Sequence, residues 1–374
     1  MAPRTRPLPD AERLDWLRLT RTDQVGPITF RALLERFGTA SRALEALPEL
    51  SRRGGRAKPI KPPARSVVER EAKDLAKRGG RFIAACEPDY PTLLATVEDA
   101  PPVLGVLGSV LMLSTTCIGM VGSRNASTNG RRLAETWAQA FGSAGLTVVS
   151  GLARGIDGAA HQGSLLTGTV ACMAGGLDQI YPPEHQGLAA KIAKTGALIS
   201  EVPLGVAPGA RHFPRRNRLI SGLSVGVLVI EANARSGALI TARMAAEHGR
   251  EVMAVPGSPL DPRSQGANRL IKDGAHLVES PDDVITLLRD VSLGLQDRAI
   301  TVYREEETVP MIDEAALTHA RQVVLEALSV TPTPVDDLIH HCQLSAPAVR
   351  TVVLELELAG RVERQPGDRI ARIA

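Results

Sequence analysis

Between residues 117 and 288 the chain alternates between short apolar runs and longer amphipathic ones. The apolar runs fall at 117–121, 147–149, 169–174, 197–199, 225–230, 252–255 and 276–278, each of strand length. Segments between them leave room for helices of about 10–15 residues. Val225-Gly226-Val227-Leu228-Val229-Ile230 is apolar at successive rather than alternate positions, as a sheet covered on both faces requires. Leu133, Trp137 and Phe141 stand at i, i+4 and i+8, the stripe by which a helix packs on such a sheet. The alternation predicts a doubly wound α/β core with a mainly parallel sheet.

The flanks follow other patterns. Residues 11–19, 30–37 and 41–47 have helical periodicity, with Gly38 closing the second segment. Val25-Gly26-Pro27 between two helices resembles a helix-hairpin-helix, whose glycine turn offers amides to a DNA phosphate, but one such hairpin favours a plain packing or dimerisation unit. The stretch 52–65 holds six basic residues, no acid, and enough Gly and Pro to make a mobile loop, either simply solvated or a basic arm. A helix over 67–77 and a strand over 81–86 lead toward the core. Residues 291–315, with the acidic run Glu305-Glu306-Glu307, lose the pattern and read as a linker. Three helices (about 317–328, 335–342 and 346–359) and a strand pair around 361–373 then give a winged-helix outline. Ser345 is the expected N-cap of the third helix, with Val349, Val353 and Leu356 inward. The division is therefore 1–80, 81–290, 291–315 and 316–374.

Composition narrows the chemistry. A net charge of +3 gives no global sign of a polyanionic partner, so charge placement matters more. Aromatics are only 3% of the chain, which raises the weight of each one. The four cysteines are scattered, so neither a disulfide framework nor a zinc site is expected. With no signal-peptide core and no long apolar run, a soluble, cytoplasmic protein without membrane contact is expected.

Two loops share one design, a strand, small residues and a helix start. Gly122-Ser123-Arg124 follows the first strand; Ser150-Gly151-Leu152-Ala153-Arg154-Gly155 follows the second. Both should leave the same sheet edge and present amides, with one arginine each, to a phosphate. Neither is a G-x-G-x-x-G or a G-x-x-x-x-G-K-[ST], which argues against a nicotinamide enzyme or a P-loop ATPase. A denser basic cluster spans Arg211, Phe213, Arg215, Arg216, Asn217 and Arg218, with Pro214 expected to open a helix. Basic residues around an aromatic ring can track a backbone and stack a base. Ser236 and Gly237 start another helix and could add donors.

Candidate catalysts are thin. Asp157 and His161 share a helix face and read as hydrogen-bonded structural residues. Glu201 and Glu231 follow strands and would brace arginines or amides, while His340-His341-Cys342 do not share one helix face and form no metal site. No catalytic residue, cofactor or metal is expected.

In order, Gly122-Ser123-Arg124, Ser150 to Asp157 with His161, Tyr181-Pro182, Ser200-Glu201, Phe213 to Leu223, Ser236 to Thr241 and Pro256-Gly257 resemble the DNA-processing protein A family, also called Smf. The resemblance implies an extended Rossmann-like core that binds single-stranded DNA without sequence preference and is not an enzyme. It implies protection of incoming strands in natural transformation, loading of the RecA recombinase, and a homodimer formed through the core domain. Gly122, Ser123 and Arg124 would hold a phosphate, with Phe213 and Asn217 in the pocket wall. The family often carries a lysine near Ala210 and Arg211, so whether Arg211 replaces it stays open. The alternative is a nucleotide-processing hydrolase like the lysine-decarboxylase-like phosphoribohydrolases, but their catalytic glutamate has no counterpart on the helix after Ser236. Residues 317–359 hold two basic residues against five acids, so the tail helices are expected to serve protein contacts and any DNA contact to lie in the wing arginines.

Overall fold

The computed structural model describes residues 7–297, 314–365 and 367–373. Its N-terminal part is helical: α1 (Asp10–Thr20), α2 (Pro27–Phe37), α3 (Ala40–Arg53) and α4 (Arg65–Lys77). Local chemistry sets these limits. Pro27 opens α2 at N1, Gly38 closes it at φ 75°, and the Thr39 side chain caps α3 by accepting from Arg42 N–H.

The core then runs β1 (Gly80–Ala84), α5 (Thr92–Ala95), β2 (Val103–Gly108), β3 (Cys117–Val121), α6 (Thr128–Ser143), β4 (Thr147–Ser150) and α7 (Ile156–Gly163). It continues β5 (Thr169–Cys172), α8 (Gln186–Thr195), β6 (Ala197–Ser200), α9 (His212–Leu223), β7 (Gly226–Val229) and α10 (Gly237–Glu247). It closes with β8 (Glu251–Ala254), α11 (Gln265–Lys272), β9 (His276–Leu277) and α12 (Pro281–Asp297). The nine strands lie in the order β1-β2-β6-β5-β4-β3-β7-β8-β9. All pairings from β6 through β9 are parallel, while β1–β2 and β2–β6 are antiparallel. The order reverses between β3 and β7, the switch point of a doubly wound sheet.

The α6 stripe is packed as its spacing predicts, with Trp137 and Phe141 buried and their rings edge to face at 6.4 Å. Strand β2 has no counterpart among the expected strands. Its V-L-G-V-L-G run follows paired prolines, which masked a pairing with both β1 and β6. Pro214 does not open α9; the helix starts two residues earlier, at His212. Helix α12 runs seven residues into the segment expected as a linker, and Glu305–Glu307 lie outside the described residues.

The C-terminal part comprises α13 (Glu314–Ala327), β10 (Thr333–Pro334), α14 (Val335–Cys342), α15 (Ala346–Leu358), β11 (Val362–Gln365) and β12 (Arg369–Arg372). Its three-stranded sheet has the order β10-β12-β11, and Val349, Val353 and Leu356 point into its core. This is a winged helix. By contacts the chain divides into two compact units, one of Leu8–Glu69 with Val302–Ala374, the other chiefly Arg70–Thr301.

In the first unit α15 is covered by α3 and α2. Gly54 caps α3 so close to α15 that a Cβ there would lie 2.0 Å from the Glu355 carbonyl oxygen. Arg56 Nη1 donates to Leu358 O at 3.3 Å. The basic stretch is accordingly no loose loop. Ile60 is buried with its N–H on Ser51 Oγ, Arg56 pairs with Asp23 at 3.0 Å, and Arg18 holds Pro63 O.

The tail's charge balance also needs correcting. Glu355 is fully buried against Arg321 at 2.7 Å, and Glu357 is buried against Arg364 at 2.9 Å. Those glutamates repel nothing outside. α15 packs against α3 and is buried over most of its length. In the wing, Arg364 is consumed by Glu357 and Asp368, which leaves Arg369 and Arg372 exposed.

Gly54→Ala should force α3 and α15 apart and destabilise this unit by about 1–3 kcal/mol, the usual cost of overpacking. Calorimetry of the intact chain checks this; an unchanged unfolding profile would mean that the two helices are not in contact.

Candidate nucleic-acid interface

β3 and β4 are parallel neighbours, so the loops after Val121 and Ser150 leave the same sheet edge. They are stitched to each other and across the switch point. Ser123 N–H donates to Glu231 O at 2.6 Å, and Ile156 N–H donates to Ser123 O at 3.2 Å. Gly155 has φ 75°, and a Cβ there would stand 2.2 Å from Ser123 O, so conformation and space both demand glycine. Gly122 is confined too, by Ile156.

Several of the loop amides expected to face an anion are taken up inside the protein instead. Gly151 and Ala153 N–H donate to Asp157 Oδ2 at 3.1 and 3.4 Å, and Leu152 N–H donates to His161 Nε2 at 3.3 Å. In the first loop Asn125 N–H goes to Ser123 Oγ, Ser127 N–H to Glu231 Oε2, and Gly130 N–H to Ser127 Oγ. These donors hold the loops in shape, including Leu152 at φ 54°, a conformation unfavourable for leucine. Asp157, His161 and Glu231 thus each brace the loops through backbone amides.

His161 is locked in one tautomer. Thr169 Oγ1 donates to Val148 O, so His161 Nδ1–H must donate to Thr169 Oγ1 at 2.9 Å while Nε2 accepts from Leu152. Burial, then the neighbouring Arg216, holds its pKa down to about 3.

A cavity of about 310 Å³ is lined by Arg124, Arg154, Arg216, Gly151, Tyr181 and Phe213 among others. The cavity itself presents charged side chains to an anion. Arg216 is only 5% exposed, and its guanidinium lies on Gly151, where a Cβ would be 1.2 Å from Nη1. Its counter-charge is Asp157 at 3.8 Å, and its buried Nε has no hydrogen-bond partner. Burial lowers the Arg216 pKa against the pull of Asp157, and burial raises Asp157 against the pull of Arg216. Arg124 is exposed, with Cζ 4.9 Å from the Phe213 ring centroid, and makes no ion pair among the described residues. Phe213 meets Tyr181 edge to face at 5.8 Å. Arg154 is bonded to Glu184.

The basic cluster on α9 is split by the helix. Arg216 and Phe213 line the cavity; Arg211, Arg215, Asn217 and Arg218 do not. Arg218 is corrected outright: it is 3% exposed and committed to Glu201 and Asp99, which fixes α9 against the end of β6. Arg215 remains 57% exposed beside Glu201, Asn217 is buried, and exposed Arg211 precedes the helix. Ser150 is also corrected, since it is wholly buried with its hydroxyl on Met120 O. Ser236 caps α10 through Ala238 N–H, and neither it nor Gly237 lines the cavity. Tyr181 was missed as a site residue. Its signal was its rarity, as one of three tyrosines in the chain. Among the described residues, no group of three His, Cys, Asp or Glu is placed to hold a metal, and no helix is long and apolar enough to cross a membrane.

Three family profiles match the chain. That of DNA recombination-mediator protein A covers 81–289, a DprA-like N-terminal HHH domain covers 10–73, and a DprA winged helix domain covers 310–368. Protein Smf of Escherichia coli (strain K12) is 39% identical over 306 residues, 81% of this chain and 80% of that protein. The crystal structure of DNA processing protein A from Streptococcus pneumoniae is similar at TM-score 0.62 and 32% identity, over 75% of this chain and 98% of that one. DNA processing protein A from Helicobacter pylori, whose structure is described for its single-stranded DNA binding mode, matches at TM-score 0.53 and 27% identity, over 56% of this chain and 96% of that one.

A histidine kept neutral by burial should make the fold acid-sensitive. The unfolded chain takes up a proton below about pH 6.5 and the native site does not until about pH 3, so stability is full above 6.5 and falls as pH drops through that window. Between pH 8 and pH 5 the wild type should lose about 2 kcal/mol more than His161→Gln. Denaturant titrations at the two pH values check this, and equal losses would refute the buried neutral imidazole.

Proposed function

Since the chain belongs to the DNA recombination-mediator protein A family, we propose that its sheet-edge cavity binds single-stranded DNA through phosphates and base faces, without reading base order. The observation that carries this reading is Arg216, a guanidinium only 5% exposed that lines a cavity together with Arg124 and the Phe213–Tyr181 pair. Guanidiniums fix phosphates, and the rings offer stacking faces that accept any base. The single-strand binding described for the Helicobacter pylori relative supports it. The proposed contacts are Arg124, Arg154, Arg216, Phe213 and Tyr181, with Gly122, Ser123, Gly151 and Gly155 shaping the loops and Arg211 and Arg215 on the approach.

The proposal extends to a cytoplasmic protein that protects incoming strands in transformation and delivers them to the RecA recombinase as a homodimer formed through the core. A binding rather than catalytic role is favoured because Asp157, His161 and Glu231 are each committed to backbone amides. Release of free base from nucleoside monophosphates by the purified protein would reverse that choice in favour of the hydrolase alternative.

Affinity for single-stranded oligonucleotides is expected to fall steeply with salt and to vary little with base order. Arg124→Ala should weaken binding to all sequences about equally and flatten the log–log salt slope by roughly one unit. Fluorescence anisotropy across a salt series tests both, and an unchanged slope in the folded variant would remove Arg124 from the phosphate contacts.

A further inference from the structure

The three cavity guanidiniums differ in what opposes them. Arg216 faces Asp157, which is buried and fixed by two backbone amides. Arg124 lies against a ring and makes no ion pair among the described residues. Arg154 alone faces a solvent-accessible carboxylate, that of Glu184 in the short 3-10 turn Pro183–His185. The two side chains are 61% and 46% exposed, so neither is locked by packing. The bond to Arg154 holds the Glu184 pKa down to about 2, so the carboxylate is charged at neutral pH. To a guanidinium, a carboxylate and a phosphate diester are the same kind of partner, a pair of anionic oxygens.

We propose that Glu184 is a tethered competitor for the strand: it occupies Arg154 in the empty protein, and a backbone phosphate must take its place. This rests on the reading of the cavity as a single-strand site. Two consequences follow from the exchange. The phosphate gives up its condensed cation while the freed carboxylate gathers one from solution, so Arg154 adds contact but little net salt dependence. The displaced carboxylate also stays beside the bound phosphates and repels them. An isolated phosphate ion therefore gains little at Arg154, whereas a strand that simultaneously reaches Arg124 and Arg216 can bear the exchange. Glu184 thereby favours a polyanion over a small anion.

The test uses the full-length protein titrated with a single-stranded thymidine oligonucleotide over a salt series, and separately with inorganic phosphate. Wild type is compared with Glu184→Gln, Arg154→Ala and the double variant. Glu184→Gln is expected to bind the oligonucleotide about fivefold tighter at low salt. Its salt slope should steepen by roughly one unit, and its affinity for inorganic phosphate should rise as well. All three effects should shrink in the Arg154→Ala background, where only the direct repulsion by Glu184 is left to relieve. Weaker binding by Glu184→Gln would overturn the proposal and mark Glu184 as a residue that positions Arg154 for the strand. Unchanged affinity and slope would overturn it too. If the wild type failed to bind the oligonucleotide, the single-strand reading itself would fall, and the competitor role with it.

Discussion

A guanidinium inside a protein has to be compensated or it costs several kcal/mol, and Arg216 is compensated on one side only. Asp157 stands 3.8 Å away within the protein, while the other side of the group meets the cavity. Much of the surrounding sequence answers to that placement. Gly151 is glycine because the guanidinium occupies the space of its Cβ. His161 stays neutral because it is buried and a second cation beside Arg216 would be repelled. Asp157 both balances Arg216 and gathers the amides of Gly151 and Ala153, so the charge and the loop that frames it are set together.

That arrangement changes how such a site works. Glycine-bearing loops at strand ends usually suggest amides offered to a phosphate. Here many of the amides are spent on Asp157, His161, Ser123 and Glu231, and the loops become rigid mounts for Arg124 and Arg154 beside Arg216 of α9. Arginine side chains can follow a flexible backbone in a way that a fixed nest of amides cannot, which suits a strand of arbitrary sequence.

The sheet was legible because buried parallel strands are continuous apolar runs, and the α6 stripe because its period is helical. The two loops were found for the same reason. Which arginines face the cavity was not legible. Arg215, Arg216 and Arg218 are near neighbours in sequence, yet α9 turns them to Glu201, to the cavity beside Asp157, and to the Glu201–Asp99 pair respectively. Charge counting was incomplete in the tail for a related reason: Glu326, Asp336 and Asp337 are exposed, but Glu355 and Glu357 are buried against Arg321 and Arg364, partners 34 and seven residues away in sequence.

The central claim is that a half-compensated buried guanidinium at the sheet edge holds the strand. It is tested most directly by removing both buried charges together, so that neither is left unpaired. The Asp157→Asn/Arg216→Gln protein, shown to be folded by its circular dichroism, is predicted to lose about tenfold or more of the wild-type affinity for a single-stranded oligonucleotide at low salt. Wild-type affinity in that folded double variant would contradict the claim.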